Sequence, residues 1–160
     1  MEPEVIRVVD TREYVSMLRG LVEEGHEVSM LISGGSMSPF LIHRRDTIFF
    51  KRPDSPLRAG DMVFYERANG QFIMHRILRV RRDSYDIVGD AQTQVEHGVR
   101  REQIFARVTR VRRKGVMIGP GDFWWGFFAR VWPLLLPLRP LISRTYALVR
   151  GGGRGKNGTP

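Results

Sequence analysis

The sequence contains no cysteine, which excludes a disulfide framework, a thiolate metal site and a cysteine nucleophile. It is also short of acidic residues, with 17 Asp plus Glu against 26 Lys plus Arg and a formal net charge of +9. The basic residues form small clusters dispersed among apolar positions, a pattern more typical of a solvated sheet face than of a phosphate track. Nucleic acid binding therefore stays an alternative that the pattern does not favour.

Two further absences limit the class of protein. No repeat of solenoid length is present. The first ten residues carry three carboxylates, whereas a secretory signal needs a basic start followed by an apolar run. Export by such a signal is not expected. The 160 residues, 42% of them apolar, are enough to build one folded core.

The order of predicted elements indicates a mainly β fold that follows a single helix. Residues 11–24 repeat apolar side chains at spacings of three and four, which predicts an amphipathic helix. An Asn-Gly pair at 69–70 predicts a hairpin. Short apolar runs bounded by turn residues predict strands at 28–32, 47–50, 61–65, 72–80, 85–88, 104–111 and 116–118.

The chain divides into three parts by composition. Residues 1–120 contain the helix and a β core at 27–118, residues 121–150 form an apolar and basic segment, and 151–160 are predicted to be a disordered tail. Within the second part, residues 123–142 combine aromatic side chains with leucines, three prolines and two arginines. A membrane span needs about 20 apolar residues with little interruption, and proline breaks helical hydrogen bonding.

We therefore interpret 123–142 as an interfacial segment, whose aromatic and basic side chains suit the headgroup region of an anionic membrane. An equally weighted alternative is a segment packed on the domain or on a partner chain. The localisation expected from these two interpretations is peripheral at a membrane or cytoplasmic.

Three side chains with the chemistry of a serine nucleophile site lie at the ends or edges of predicted strands. Ser36 is in a glycine-rich bend, where Gly34 and Gly35 let a substrate backbone approach. His75 lies on an apolar strand and can accept the proton of a serine, and Asp90 follows the strand at 85–88. Taken singly, a flexible loop, a core histidine and an ordinary Asp turn are the commoner interpretations.

Together and in this order, the motifs resemble signal peptidase I, in the branch whose base is a histidine, found in archaea, the endoplasmic reticulum and some Gram-positive bacteria. Ser-Gly-Gly-Ser-Met-Ser-Pro at 33–39 is similar to the nucleophile box, and 43–50 to the strand after it. Gly-Asp-Met-Val-Phe at 60–64 resembles the next box, Met-His-Arg-Ile at 74–77 the histidine box and Val-Gly-Asp-Ala at 88–91 the acid box. The resemblance covers 28–111.

The resemblance implies an all-β catalytic domain in which Ser36 is the nucleophile, His75 the base and Asp90 the acid that orients the imidazole. It places the oxyanion and substrate contacts at Gly34, Gly35 and Met37, together with the Ser36 N–H. The implied activity is that of a serine endopeptidase that removes a signal or leader peptide and needs neither metal nor cofactor. The implied partner is an extended peptide or precursor protein with small side chains next to the scissile bond.

Three departures from the family pattern leave alternatives open. Gly34 stands where the family usually has a hydroxyl residue, and the loss of one oxyanion donor costs roughly a hundredfold in rate. Glu96 stands near the position of a second aspartate and is a candidate accessory acid. The predicted helix at 11–24 precedes Ser36 where the family has a transmembrane anchor. A cytosolic peptide-maturation protease and a non-catalytic peptide- or nucleic-acid-binding module on the same fold are therefore the alternatives.

Overall fold

An antiparallel sheet of eight strands organises the chain, so the predicted mainly β class is confirmed. The computed structural model describes residues 11–142 and 144–145; the N-terminal ten residues and the predicted disordered tail lie outside them. The elements before the C-terminal segment are α1 (Thr11–Glu23), β1 (Val28–Leu31), β2 (Thr47–Lys51), β3 (Met62–Glu66), β4 (Phe72–Val80), β5 (Tyr85–Val88), β6 (Glu96–Val99), a 3-10 turn (Arg101–Gln103), β7 (Ile104–Arg113) and β8 (Val116–Ile118).

The strands are ordered β1-β2-β7-β3-β4-β5-β6, and β8 pairs with β7. The long strand β7 pairs with β2 along one edge, and with β3 and then β8 along the other. Strand β1 has β2 as its partner and is an edge strand among the described residues. The hairpin predicted at Asn69 and Gly70 joins β3 to β4, in register from Met62 opposite Arg76 to Glu66 opposite Phe72.

Strand β3 is buried on both faces because an apolar cluster lies on each side of the sheet. Alternate side chains of a strand point to opposite faces. Met62 and Phe64 therefore join the helix-side cluster, which contains the buried face of α1, whereas Val63 and Tyr65 join the opposite cluster with Ile77, Ile87, Val99 and Ile104. Strand β3 is apolar at successive positions because both of its faces are covered by apolar clusters.

Helix α1 is confirmed, but its buried face is narrower than the sequence pattern. Val15, Leu18 and Val22 pack against the sheet, at spacings of three and four. The apolar spacing of the sequence also includes Met17 and Leu21, which lie next to Leu18 and Val22 in the chain, yet both side chains are exposed. Tyr14 packs against the same cluster from a half-buried position, so the contact face of the helix comprises Tyr14, Val15, Leu18 and Val22.

Strand β6 was not predicted. Its sequence, Glu-His-Gly-Val, has little apolar alternation, and only Val99 is buried. At the edge of the sheet one backbone side and much of the side-chain surface face solvent, so the usual apolar signal of a strand is weak. The pairing partners Ile87 and Glu96 nevertheless bring Glu96 next to β5.

Residues 123–142, which we call the C-terminal arm, pack one face on the domain. The arm contains α2 (Phe123–Gly126), a π-helical turn (Phe127–Val131), a 3-10 helix (Trp132–Leu138) and a short helical end. Phe128 and Trp132 are buried in the helix-side cluster, and Phe128 stacks on Phe40 with ring centroids 4.7 Å apart. No helix in the described ranges has the length and hydropathy needed to cross a membrane.

The arm comes close to the sheet at Gly60, which leads to a prediction about stability. Gly60 has φ +96°, and a Cβ there would lie 2.7 Å from the carbonyl oxygen of Ala129. We expect Gly60→Ala to lower the free energy of unfolding by about 2–4 kcal/mol, through left-handed backbone strain plus this clash. Urea denaturation measures the loss.

Gly25 is the matched control, because it has the same φ of +96° and nothing within 4 Å of its virtual Cβ. Gly25→Ala therefore carries the backbone strain alone, about 1–2 kcal/mol. Equal losses in the two variants would show that the arm does not press on Gly60.

Candidate functional site

Ser36 lies in a loop after β1 that is fastened on both sides of the serine. Upstream, the Gly34 N–H donates to Nδ1 of His43 at 2.9 Å. Downstream, the Met37 side chain is buried in the helix-side cluster. The carbonyl of Ser36 itself accepts a hydrogen bond of 2.9 Å from the Ala91 N–H. The loop is thereby held in place while Ser36 lines a cavity.

The backbone N–H groups around Ser36 bear on the predicted oxyanion contacts. The Gly34 N–H is engaged by His43. Within the described ranges, the N–H groups of Gly35, Ser36 and Met37 have no hydrogen-bond acceptor. An oxyanion would accept hydrogen bonds from such unpaired backbone N–H groups. Of the predicted contacts, Gly35 and Met37 therefore have unpaired backbone donors in the described structure, whereas the Gly34 N–H is paired.

His75 is a buried residue of β4 that stands opposite Val63 in the pairing with β3. Its ring meets the ring of Tyr65 edge to face, with centroids 6.4 Å apart. Burial lowers the pKa of His75, the charge of Arg67 lowers it further, and Glu96 offsets part of the effect, which leaves a pKa of about 4. The imidazole is therefore neutral at neutral pH and able to accept a proton.

Ser36 and His75 line the same cavity, as the motif order predicts. Its volume is about 400 Å³, and its walls include Ile32, Phe64 and Met74. His75 also borders a second cavity of about 600 Å³, which Glu96 shares. The imidazole thus lies between the space next to the serine and the space next to a carboxylate.

Asp90, expected from the sequence to orient the imidazole, binds Arg76 instead. Arg76 donates from Nε to one carboxylate oxygen at 2.9 Å and from Nη2 to the other at 2.8 Å. Both side chains are almost completely buried, and among the described residues no hydrogen bond joins Asp90 to His75. The reason is the strand alternation, since His75 and Arg76 are neighbours on β4 and point to opposite faces of the sheet.

Glu96, the candidate accessory acid, is the carboxylate on the imidazole's side. It accepts a hydrogen bond of 2.5 Å from the Tyr65 hydroxyl and one of 2.8 Å from Nη2 of Arg67. Burial alone would raise the pKa of Glu96, but the hydrogen bonds from Arg67 and Tyr65 outweigh it and hold this pKa below its usual range. Glu96 therefore stays ionised and adds negative charge near His75.

The turn at 89–92 supports the Ser36 loop and is held from the far side by the C-terminal arm. A Cβ on Gly89 would lie 2.7 Å from the Ser36 carbonyl oxygen, so glycine is required there. The indole N–H of Trp132 donates to the Asp90 carbonyl at 2.9 Å. Nη1 of Arg139 donates to the carbonyls of Gly89, at 2.9 Å, and Gln92, at 2.7 Å.

Sequence reasoning gave no role in the site to Tyr65, Arg67, Arg76, Trp132 and Arg139. For Arg139 the sequence offered one signal, which is a charged residue inside an apolar segment. In the structure this side chain is only 2% exposed. A buried guanidinium needs polar partners, and backbone carbonyls of a turn supply them. Its target could not be read from local sequence, since Arg139 and Gly89 are 50 positions apart.

In the part of the chain that the structure describes, no group of three or more His, Asp or Glu side chains is arranged to hold a metal ion. Comparison of the chain with family models, with curated proteins and with solved structures found no match. The site is therefore judged on its own geometry and chemistry.

The buried imidazole predicts a pH-dependent stability. The folded-state pKa of His75 is about 4 and its ordinary value is 6.5, so the unfolded chain binds the proton more tightly. The free energy of unfolding should fall as the pH decreases from 6.5 towards 4, with a contribution from His75 of about 3 kcal/mol. Denaturation of wild type and of His75→Gln across this interval measures the contribution as a difference in slope.

His26→Gln is the control, because His26 is exposed and lies outside both cavities. This variant should keep the wild-type slope. If His75→Gln also keeps that slope, His75 does not lose its proton affinity on folding.

Proposed function

We propose that the chain is a serine endopeptidase that resembles signal peptidase I, with Ser36 as nucleophile and His75 as base. The observation that carries the proposal is the shared cavity of Ser36 and a buried, neutral imidazole. Burial alone lowers the pKa of a core histidine, so what supports the proposal is that this neutral imidazole lines the same cavity as a loop serine and lies near two charged groups, Arg67 and Glu96.

The proposed mechanism is acyl transfer. The Ser36 hydroxyl attacks a peptide carbonyl while His75 accepts its proton, and the oxyanion of the tetrahedral intermediate binds backbone N–H groups around Ser36. His75 then gives the proton to the leaving amine, which departs as the new N-terminus of the product. A water molecule, deprotonated by His75, hydrolyses the acyl-enzyme ester and frees Ser36.

We assign to Glu96 an electrostatic role towards the imidazole, because its carboxylate binds Tyr65 and Arg67 and, among the described residues, no hydrogen bond joins it to His75. An ionised carboxylate near the imidazole stabilises the imidazolium that forms when the serine proton is transferred. Glu96 is held for this role by Tyr65 and Arg67. Asp90 contributes indirectly, because its salt bridge with Arg76 holds the turn that contacts the Ser36 carbonyl.

The substrate class follows from two unpaired strand edges beside the cavity. Strand β1 is an edge strand among the described residues. Residues 72–74 of β4 have β3 as their one strand partner in the described structure, because the pairing of β4 with β5 begins at Arg76. Both segments line the cavity of Ser36 and His75. An extended peptide can add its backbone to such edges. The proposed substrate is therefore an extended peptide; that it is a signal or leader peptide, removed at a membrane or in the cytosol, rests on the family resemblance.

A non-catalytic peptide-binding module is the second candidate, and one observation favours it. Within the described residues, no hydrogen bond joins the Ser36 hydroxyl to either nitrogen of His75. The same groove would then hold a peptide without cleaving it. Nucleic acid binding is not favoured by the groove, whose walls are largely apolar.

Labelling with a serine-directed acylating probe tests the catalytic proposal. Wild type should be labelled at Ser36, and Ser36→Ala should not react. His75→Gln should lower the labelling rate by about a thousandfold or more, because the base is lost. Glu96→Gln should lower it by about tenfold to a hundredfold, because the imidazolium loses its counter-charge.

Glu66→Gln is a matched control for Glu96→Gln. Its side chain is 35% exposed against 31% for Glu96, and each glutamate pairs with an arginine. Glu66 borders neither cavity of His75, so its variant should react like wild type. A folded wild type that resists labelling and binds an extended peptide would instead establish the non-catalytic module.

The pH profile of labelling gives an independent prediction. Only the neutral imidazole accepts the serine proton, so the rate should rise with pH through a pKa of about 4 and be level from there to neutral pH. A rate governed by an ordinary histidine would instead fall below pH 6.5. An inflection at that higher value in folded protein would mean that His75 is not the base.

A further inference from the structure

The outer face of the C-terminal arm is rich in exposed large apolar side chains. Leu134 is 77% exposed and Phe123 74% exposed, and Trp124, Leu138 and Leu141 are exposed on the same segment. More than half of the large apolar residues that the described structure exposes lie on this arm. A concentration of exposed large apolar side chains on one segment is typical of an interaction site.

The arm's orientation is fixed by the contacts of its inner face. Phe128 and Trp132 are buried, and Arg139 is held by two backbone carbonyls of the turn at 89–92. Rotating Leu134 inward would expose Trp132 and break these hydrogen bonds. The outer face is therefore available to an external partner.

The basic residues on and next to the arm favour a partner with negative charge. Arg130 and Arg144 are exposed on or next to the arm. No acidic residue follows Asp122 in the sequence, whereas basic residues continue to Lys156. The partner must therefore combine negative charge with an apolar interior. A second copy of the chain does not fit, because two such faces would bring like charges together on a protein of net charge +9.

We propose that the C-terminal arm docks peripherally on an anionic lipid bilayer. Tryptophan, phenylalanine and leucine side chains enter the boundary between headgroups and acyl chains, while Arg130 and Arg144 contact the anionic headgroups. The inner face stays on the domain, so the arm lies along the surface. This binding goes beyond the proposed catalysis and is measured without any substrate.

Co-sedimentation with vesicles tests the proposal. Wild type should bind vesicles of phosphatidylcholine mixed with phosphatidylglycerol, and bind vesicles of phosphatidylcholine alone much more weakly. Leu134→Ser combined with Leu138→Ser should weaken binding to the anionic vesicles by at least about tenfold, because apolar burial in the bilayer is lost. Arg130→Gln combined with Arg144→Gln should weaken it by about fivefold to thirtyfold.

Val116→Ser combined with Met117→Ser is the matched control, since both side chains are exposed apolar residues of β8, outside the arm. It should bind like wild type, and all variants should unfold at the wild-type urea concentration. Two results overturn the proposal: wild type that stays unbound with anionic vesicles, or a leucine variant that binds them as tightly as wild type. A lipid-free dimer that the leucine variant abolishes would also overturn it, in favour of a second copy.

Discussion

The salt bridge between Arg76 and Asp90 is the interaction on which the arrangement of the site depends. Both groups are almost fully out of solvent, and a buried charge that loses its partner costs about 3–5 kcal/mol. Arg76 also donates to the Gly60 carbonyl at 2.8 Å and lies over the ring of Phe40. One guanidinium therefore joins β4, the turn after β5 and the contact point of the arm. The Ser36 loop is fastened to that turn, so its position follows from the pair.

The two acids of this region have separate tasks because they lie on different faces of the sheet. Asp90 neutralises Arg76 on the helix side, whereas Glu96 joins Tyr65 and Arg67 near His75. Each carboxylate is thus paired with an arginine on its own face of the sheet. Burial raises the pKa of the Tyr65 hydroxyl, which therefore stays protonated and donates to Glu96. His75 is thus a neutral imidazole near the charged side chains of Arg67 and Glu96.

Much of the fold could be predicted from local pattern, because most strands are bounded by turns and carry apolar runs. Strand β4 and strand β5 have the predicted bounds, and α1 ends one residue early. The meeting of Ser36 and His75 in one cavity was expected from the order of the motifs, not from local pattern, because β2, β7 and β3 lie between β1 and β4 in the sheet. The partner of Asp90 could not be predicted this way. It depends on which face a turn carboxylate meets, and that is decided by the register of β4 and the position of the arm.

The hydrogen bonds from Trp132 and Arg139 to the turn at 89–92 form only after the arm has been synthesised. The three carbonyls they bind belong to residues made more than 40 positions earlier. Until the arm leaves the ribosome, these carbonyls have water as their partner and the turn lacks its apolar cover. The Ser36 loop, fastened to this turn, therefore gains the support of the arm only after Trp132 and Arg139 have been synthesised. The candidate site thus depends on a segment that the ribosome adds well after the loop itself.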